Sequence, residues 1–269
     1  MFLALSLIAI NKALSMTNPA LQSSAELIST FSLDSGSQEV QVWRAFLDQP
    51  SLDIARLFEL LSDDEQVRAR RFRFRRDYVR YIAARAMLRT ILGRYLDITP
   101  SRLKFLYGAR GKPSLAQECG GESVRFNLSH SQGVALLGIT RQVEIGIDIE
   151  FIREDFATIE IAQHFFSSGE IAALRTLPAD ARARGFFNCW TRKEAFIKAR
   201  GEGLSLPLDK FEVSLLPGEP AELFRTEFDP EEANRWVLRD LSLDDHYVGA
   251  LAVERRPPFI PFCQSNESP

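Results

Sequence analysis

The chain has 269 residues, 45% of them hydrophobic and 10% aromatic, so it can bury a sizeable core in one large domain or two modest ones. Its 33 Lys and Arg against 36 Asp and Glu give a formal net charge of -3, which excludes a surface built throughout for nucleic acid or an anionic membrane. The three cysteines are widely spaced, without a CxxC or Cys/His cluster. They suggest neither a disulfide framework nor a zinc site and fit a reducing cytoplasm.

The two ends of the chain differ in composition from the rest. The stretch "MFLALSLIAI" is apolar, but no Lys or Arg precedes it and it is too short to span a bilayer, so we expect no secretion signal and no membrane anchor. We expect residues 1–37 to be a poorly ordered N-terminal extension and the proline-rich residues 256–269 to be a tail. Between them, residues 38–141 and 142–255 are expected to form an N-terminal and a C-terminal half.

The first half opens with an edge strand predicted in "QEVQVWRAFLD", where Val40 and Val42 are apolar. In "SDDE", Ser62 and Glu65 form a capping box, which predicts the start of a helix. A longer helix is predicted over residues 77–95, where apolar residues form a broad face. The stretch "GARGKPSL" is predicted to be a loop, and "VRFNLSHSQGVALLGIT" two strands with a turn at "SHSQG".

The second half repeats this order of elements. Ser167 and Glu170 in "FSSGE" form another capping box, followed by a long helix predicted over residues 183–200 and by strands in "DKFEVSL" and "HYVGALAVE". Capping boxes also recur by chance in any chain with several helices. The shared order nevertheless favours an α+β protein of two similar halves, joined around residues 141–143.

Acidic residues occupy one face of a predicted strand in "VEIGIDIE". The alternation places its isoleucines on one face and Asp148 and Glu150 on the other, which a solvated sheet edge also explains. Glu194 precedes Lys198 by one helical turn, and such a pair is by itself ordinarily a solvated surface pair. Together, Asp148, Glu150 and Glu194 offer three oxygen donors of the class that Mg²⁺ prefers, alongside substrate phosphate oxygens.

A phosphate-bearing substrate would also need cations. The candidates for contact with its phosphates are Arg80, Lys112, His130, Lys193 and Lys198. His130 is flanked by Ser129 and Ser131 beside the predicted turn, whose exposed N–H groups suit an anion, although a lone His there is more often a hydrogen-bonding residue. No GxSxG elbow, Walker loop or GxGxxG precedes a helix. The sequence therefore lacks the motifs expected of a serine hydrolase, a P-loop protein or a Rossmann protein.

The run "VRARRFRFRRDYVR" holds seven arginines, with Phe72, Phe74 and Tyr78 between them. This is the composition of a nucleic-acid contact, in which basic side chains meet phosphates and aromatic rings stack on bases. The acidic balance of the whole chain favours another interpretation, a helix surface with a few phosphate ligands and otherwise solvated charge.

The motifs "GKP", "FNLSHS", "GIDIE", "FFSSGE" and "WTRKEAFIKARGEGLSLPL", in this order, resemble those of the Sfp-type 4'-phosphopantetheinyl transferases, from about Arg68 to Val253. The resemblance implies two similar α/β halves in pseudo-twofold arrangement, with Mg²⁺ and coenzyme A in the cleft between them. It implies transfer of the phosphopantetheine arm from coenzyme A to a serine hydroxyl of an apo acyl or peptidyl carrier protein, with release of 3',5'-ADP. Part of the arginine run is then expected to contact the carrier.

The resemblance also implies roles for single residues. Asp148, Glu150 and Glu194 are expected to hold Mg²⁺, and Lys198 to contact the pyrophosphate. The residues expected around the adenosine 3'-phosphate end are Arg80, Lys112, Ser129 and His130, with Arg68 at a position that is usually basic in the family. Asp148, Glu194 and Lys198 are the expected catalytic residues, with Glu194 or a water accepting the serine proton.

Two alternatives stay open at this point. A catalytically inactive homologue would bind coenzyme A or a carrier without transfer, and its expected mark is loss of a metal carboxylate, whereas all three are present. A carboxylate-metal phosphohydrolase would use the same acids with water as the attacker. We expect a cytoplasmic monomer that binds neither nucleic acid nor membrane. The sequence leaves open whether its carrier serves fatty acid, polyketide or nonribosomal peptide synthesis.

Overall fold

The computed structural model describes residues 25–33, 39–121, 123–241 and 243–255, which form helices and mostly antiparallel sheets in two halves. The expected tail and the first 24 residues of the expected extension lie outside the described residues. Among the helices that are described, none combines the length and the apolar character needed to cross a bilayer.

The first half runs from β1 to β6. Its elements are β1 (Ala25–Ser32), β2 (Glu39–Phe46), α1 (Ile54–Phe58), α2 (Asp63–Ala69), α3 (Arg75–Leu96), β3 (Phe105–Tyr107), β4 (Pro113–Leu115), β5 (Val124–Ser131) and β6 (Val134–Arg141). The second half comprises β7 (Ile145–Phe151), α4 (Ile159–Phe165), α5 (Ser168–Thr176), α6 (Ala179–Arg200), β8 (Phe211–Val213), β9 (Leu223–Thr226), α7 (Glu232–Arg235), β10 (Trp236–Leu241) and β11 (Tyr247–Glu254). Short 3-10 turns are formed by Pro100–Arg102, Gln117–Cys119, Gly203–Ser205 and Leu208–Lys210.

The connectivity of the strands repeats between the halves. The main sheets have the orders β1-β2-β6-β5 and β10-β11-β7. Apart from β1, each half begins with a strand, continues through a capping-box helix, a 22-residue helix and two short paired strands, and ends with a strand that inserts beside the first. The prediction of an α+β fold with two similar halves is therefore confirmed.

Strand β1 corrects two expectations. Residues 25–32 were expected within the extension, but they pair antiparallel with β2, which makes β2 an inner strand and not the predicted edge strand. A bulge after Leu27 breaks the alternation of β1. Ile28 and Phe31 pack onto the core between the halves, so the strand is held by contacts that the irregular sequence pattern does not reveal.

The β5–β6 hairpin and strand β4 also differ from the prediction. The hairpin turns at Gln132 and Gly133, whose φ angles of 43° and 88° suit a two-residue connection, so Ser129 to Ser131 lie inside β5 and not in the turn. Residues 113–115, predicted as part of a loop, form β4 and pair with β3.

A buried ionic network links α2 to the long helix α3. Glu65 accepts the backbone N–H of Ser62 at 3.1 Å, as the capping box predicts. The same carboxylate accepts Arg89 Nε at 2.5 Å and forms an ion pair with Arg85. Glu65 and Arg89 are both almost wholly buried, so the two charges compensate each other inside the first half.

The second half contains the equivalent arrangement, and it corrects the expectation for Lys193. Glu170 accepts the N–H of Ser167 at 2.8 Å and pairs with Lys193 Nζ at 2.8 Å. That ammonium also donates to the carbonyls of Leu208 and Phe211, at 2.7 and 2.5 Å, and Lys193 is fully buried. Its prediction as a phosphate ligand is wrong, because all its donors are engaged inside the protein.

A third core lies between the two halves. Its buried members include Val40, Val42, Val134 and Leu136 from the first half, and Ile145, Ile147, Ile149, Leu251 and Val253 from the second. The isoleucines of "GIDIE" therefore face the other half, which leaves the opposite face of β7 to its own helix α6.

We expect Glu170→Gln to lower the free energy of unfolding by about 3 kcal/mol, because the buried Lys193 ammonium would lose its counter-charge. Urea denaturation would measure the loss. The matched control is Glu222→Gln, at an exposed glutamate of the same half, which should unfold like the parent protein. Equal stability of the two variants would contradict a compensated buried pair.

Candidate active site at the junction of the halves

A close backbone approach between β7 and α6 fixes the position of the acidic strand. A Cβ atom on Gly146 would lie 2.0 Å from the carbonyl oxygen of Ala195 and 2.3 Å from the nitrogen of Ala199. Only glycine can occupy that position without displacing backbone. Because side chains alternate along a strand, Asp148 points to the same side as Gly146 and meets the helix.

Asp148 is the centre of a polar contact that joins the halves. Lys198 Nζ lies 2.5 Å from Asp148 Oδ1, and the hydroxyl of Ser129 donates to the same oxygen at 2.9 Å. Lys198 also donates to Ser129 Oγ at 3.1 Å. Asp148 is only 3% exposed, and its other oxygen, Oδ2, is buried and has no hydrogen-bond partner among the described residues. Such an orphaned oxygen is a position where a further donor or a cation would be favourable.

Alternate residues of β5 connect to the edge of β7 through their side chains. The backbone N–H of Ile147 donates to Asn127 Oδ1 at 2.9 Å, and that of Phe151 donates to Ser131 Oγ at 3.1 Å. The Ser131 hydroxyl in turn donates to Glu150 Oε2 at 2.9 Å. The first half therefore supplies hydroxyl groups to both carboxylates of the predicted pair, and the site draws on both halves.

Helix α6 presents a half-buried stripe along one face. Trp190, Glu194 and Lys198 follow one another at four-residue spacing, and each is half-buried although most of their neighbours are buried. Trp190 packs edge to face against Phe165, with 5.4 Å between the ring centroids. The predicted one-turn spacing of Glu194 and Lys198 thus places both on the part of the helix that opens at the junction.

The charged groups of the site perturb one another. Burial, reinforced by the charge of Asp148, raises the pKa of Glu150. Burial also raises the pKa of Glu194, with Lys198 opposing and Asp148 adding to the effect. For Lys198, burial disfavours the charge, but the carboxylates of Asp148, Glu194 and Glu150 raise its pKa overall. The group has more negative than positive charge, which favours uptake of a proton or another cation.

The residues expected to hold a metal are suitable in chemistry but do not form a ready-made centre. Within the described ranges, no three side chains of His, Cys, Asp or Glu are arranged to hold a metal ion. Three hard carboxylate donors and the orphaned Oδ2 of Asp148 fit Mg²⁺, and the Lys198 ammonium is the cation that contacts Asp148 in this arrangement. The metal assignment of Asp148, Glu150 and Glu194 stays a prediction.

Two predicted cations lie on the first-half side of the junction. Burial lowers the pKa of His130, and the positive charges of Lys198 and Arg80 lower it further. The Nε of Arg80 donates to Asp48 Oδ1 at 2.8 Å, and a second guanidinium nitrogen bonds the other oxygen of the same carboxylate. His130 is therefore close enough to Arg80 of the first half and Lys198 of the second for both charges to affect its pKa.

Lys112 and Arg68, which were also predicted to contact phosphate, lie in different surroundings. Lys112 donates to the carboxylate of Glu144 and to the carbonyl of Ala199, both in the second half. Arg68 is exposed on α2, with its guanidinium carbon 5.7 Å from the centroid of the Tyr81 ring. It lines a cavity of about 800 Å³ together with Asp63, Asp64, Val67, Arg71 and Phe72. That cavity has no residue in common with the carboxylate group around Asp148.

Two residues that shape the site were not singled out from the sequence. Gly146 carried a usable signal, because a glycine between isoleucines within a strand indicates close backbone approach. Asn127 is a polar residue in an otherwise apolar strand and is only 5% exposed. Its role in satisfying the N–H of Ile147 depends on which strand lies beside it, which the local pattern does not indicate.

Comparisons with known proteins identify relatives along most of the chain. A family model described as 4'-phosphopantetheinyl transferase superfamily matches residues 144–252, and one described as 4'-phosphopantetheinyl transferase, N-terminal, matches residues 45–140. The 4'-phosphopantetheinyl transferase HetI of Nostoc sp. is 42% identical over 217 residues, 81% of this chain and 88% of the relative. The 4'-phosphopantetheinyl transferase Sfp of Bacillus subtilis is 31% identical, over 65% of this chain and 77% of the relative. The human L-aminoadipate-semialdehyde dehydrogenase-phosphopantetheinyl transferase is 28% identical, over 72% and 67%.

We expect Lys198→Met to raise the pKa of His130, because it removes a positive charge that disfavours the imidazolium. Titration of the imidazole signals by NMR would measure this, and only three histidines need assignment. The control is Lys210→Met, at an exposed lysine of the second half that pairs with Glu227. Superimposable titration curves for His130 in Lys198→Met and the parent would refute the coupling across the junction.

Proposed function

Because the chain belongs to the 4'-phosphopantetheinyl transferase family, we propose that it transfers the 4'-phosphopantetheine group of coenzyme A to a serine hydroxyl of an apo acyl or peptidyl carrier protein. The product besides the modified carrier is 3',5'-ADP. Family membership rests on the two matching family models and on the relative with 42% identity, of which the chain covers 88%.

The contact of Lys198 with Asp148 at the junction of the halves is the observation that carries this proposal. It places an ammonium, a buried carboxylate and the Ser129 hydroxyl at one point, with Glu150 and Glu194 electrostatically coupled to them. A pyrophosphate needs cations close to it to balance its negative charge. Lys198 supplies one, and the three carboxylates can bind a second. The protein needs no nucleophile of its own, because the attacking oxygen belongs to the carrier.

We assign Mg²⁺ binding to Asp148, Glu150 and Glu194. Their oxygens are the donor class that the ion prefers, and the orphaned Oδ2 of Asp148 is available for it. When bound, Mg²⁺ would neutralise charge on the pyrophosphate oxygens. The Lys198 ammonium has three N–H donors, of which two go to Asp148 Oδ1 and Ser129 Oγ, so it can also donate to a phosphate oxygen.

The reaction forms a bond from the serine oxygen to the phosphorus that carries pantetheine, and it breaks the bond from that phosphorus to the bridging oxygen of the pyrophosphate. Lys198 stabilises the charge that develops as the 3',5'-ADP leaves. The serine proton passes to Glu194, directly or through water. Glu194 suits this role because burial raises its pKa, which makes its carboxylate a better proton acceptor than an exposed one.

The adenosine end of coenzyme A would lie on the first-half side of the junction. We assign contacts with it to Ser129, His130 and Arg80, of which His130 is electrostatically coupled to both Lys198 and Arg80. Arg68 is assigned to the outer limit of this region, since it is exposed on α2 and free to meet a phosphate. We place the reaction in the cytoplasm, where buried free thiols such as Cys119 and Cys189 persist, and we expect a monomer because each half contributes to one site.

The carrier would meet the exposed segment 70–76, here called the arginine segment. All seven of its residues are exposed, and Phe74 is 61% exposed. The hydrogen bond from Arg80 lowers the pKa of Asp48, and the charge of Arg76 adds to this effect. Positive charge therefore extends from this segment toward Arg80 and His130. An acidic carrier surface with an apolar side chain would complement both the guanidinium groups and the exposed ring.

The transfer itself is tested by incubating the protein with an apo carrier, coenzyme A and Mg²⁺ and measuring the carrier's mass. We expect the mass of one phosphopantetheine group to be added, and Asp148→Asn to reduce the rate by at least about 100-fold, the usual scale for losing one charge-stabilising group. Asp155→Asn, at an exposed carboxylate just after β7, is the control and should keep the parent rate.

Two outcomes would replace the proposal with its alternatives. Tight coenzyme A binding without a mass gain on several carriers would indicate an inactive homologue. Cleavage of coenzyme A without a carrier would indicate a phosphohydrolase that uses water as the attacker.

For the arginine segment, we expect the double variant Arg73→Glu/Arg75→Glu to raise the KM for the carrier on the order of tenfold, with kcat and coenzyme A affinity unchanged, because charge reversal opposes encounter with an acidic partner. The effect should shrink as salt is added. Arg102→Glu, at an exposed arginine beyond the other end of α3, is the control. An equal KM for all three proteins would exclude this surface.

A further inference from the structure

Lys112 makes three contacts from the first half to the second. It lies in the connection between β3 and β4, and its ammonium donates to Glu144 Oε2 at 3.0 Å, to the carbonyl of Ile145 at 3.2 Å and to the carbonyl of Ala199 at 3.0 Å. An ammonium has three N–H donors, so these acceptors use all of them. The side chain is 21% exposed. Its Cδ atom lies 3.7 Å from the point that a Cβ atom on Gly201 would occupy.

Each acceptor belongs to a segment that carries the site. Ala199 directly follows Lys198 near the end of α6, where the last carbonyls have no partner within the helix and a positive charge is favourable. Ile145 begins β7, three residues before Asp148. One ammonium from the first half therefore binds the main chain of both segments, β7 and α6, that carry the contact between Asp148 and Lys198.

Glu144 reinforces this attachment. Its second oxygen accepts Arg125 Nε at 3.0 Å from β5, so two cations of the first half bind one carboxylate at the entrance to β7. The backbone of β7 also packs directly against that of α6 at Gly146, so the two segments are in close contact. A change at Lys112 would therefore alter how α6 and β7 sit against Ser129.

We propose that Lys112 is a positioning residue, which holds α6 and β7 against the first half so that Lys198, Asp148 and Ser129 meet. This rests on the proposed transferase function and departs from the role of phosphate ligand that the sequence suggested. A phosphate ligand needs free donors, whereas each N–H of this ammonium has an acceptor inside the protein.

The two roles predict opposite kinetics for Lys112→Met. A positioning role predicts that kcat falls by roughly 10- to 100-fold, because small misplacements of reacting groups are costly. The Kd for coenzyme A, from calorimetry without carrier, should change less than twofold. Lys104→Met is the control, since that lysine is exposed in the same half and pairs with the exposed Glu118. A tenfold rise in Kd with kcat retained would overturn the proposal in favour of a phosphate ligand.

Glu144→Gln tests the same idea without touching a cation, and it decides the matter if Lys112→Met fails to fold. Positioning predicts a fall in kcat of the same direction and a double variant little worse than either single one, because the two residues act through one contact. A freed phosphate ligand predicts equal or tighter coenzyme A binding and a normal kcat, which would refute positioning. Wild-type transfer is measured first: its absence refutes the proposed function, while its presence with unaltered variants refutes this inference alone.

Discussion

At Gly146 the backbone of β7 lies so close to the backbone of α6 that any side chain would overlap the carbonyl oxygen of Ala195. This contact sets how far the acidic strand stands from the helix. Because it is so short, the side chain of Asp148 meets that of Lys198, with 2.5 Å between Oδ1 and Nζ. The buried carboxylate is tolerated only because the ammonium and the hydroxyl of Ser129 satisfy one of its oxygens. The rest of the site is arranged around that pair.

The two halves use one structural solution for stability and differ at the junction. In each half a capping-box glutamate starts a short helix and is buried against a cation of the long helix, Glu65 with Arg89 and Glu170 with Lys193. These pairs fix α2 on α3 and α5 on α6. The site charges lie on another face of α6, where Lys198 is half-exposed and able to meet a ligand. Helix α6 thus carries a buried cation that holds the second half together, Lys193, and on another face a half-buried cation at the junction, Lys198.

Neither half could form the site alone. The second half supplies the carboxylates and the ammonium, while β5 of the first half supplies Ser129 and Ser131, which donate to Asp148 and Glu150. The third core presses the isoleucines of β7 against β2 and β6, so the orientation of the halves is set by apolar packing. The polar contacts then select one register between β5 and β7, in agreement with a family whose chemistry depends on positioned charge.

The sequence by itself determined the long helices α3 and α6, the strands β2, β5, β6, β7 and β11, their repeated order and both capping boxes. It also determined the shared face of Asp148 and Glu150 and the one-turn spacing of Glu194 and Lys198. These follow from local periodicity, which is a property of the chain alone. Only the tertiary structure decided that Lys193 is internal while Lys198 serves the junction, that residues 25–32 add a strand, and that Lys112 binds the second half. Periodicity fixes the face on which a side chain lies, but the neighbour on that face comes from distant segments, because packing pairs residues without regard to their separation in sequence.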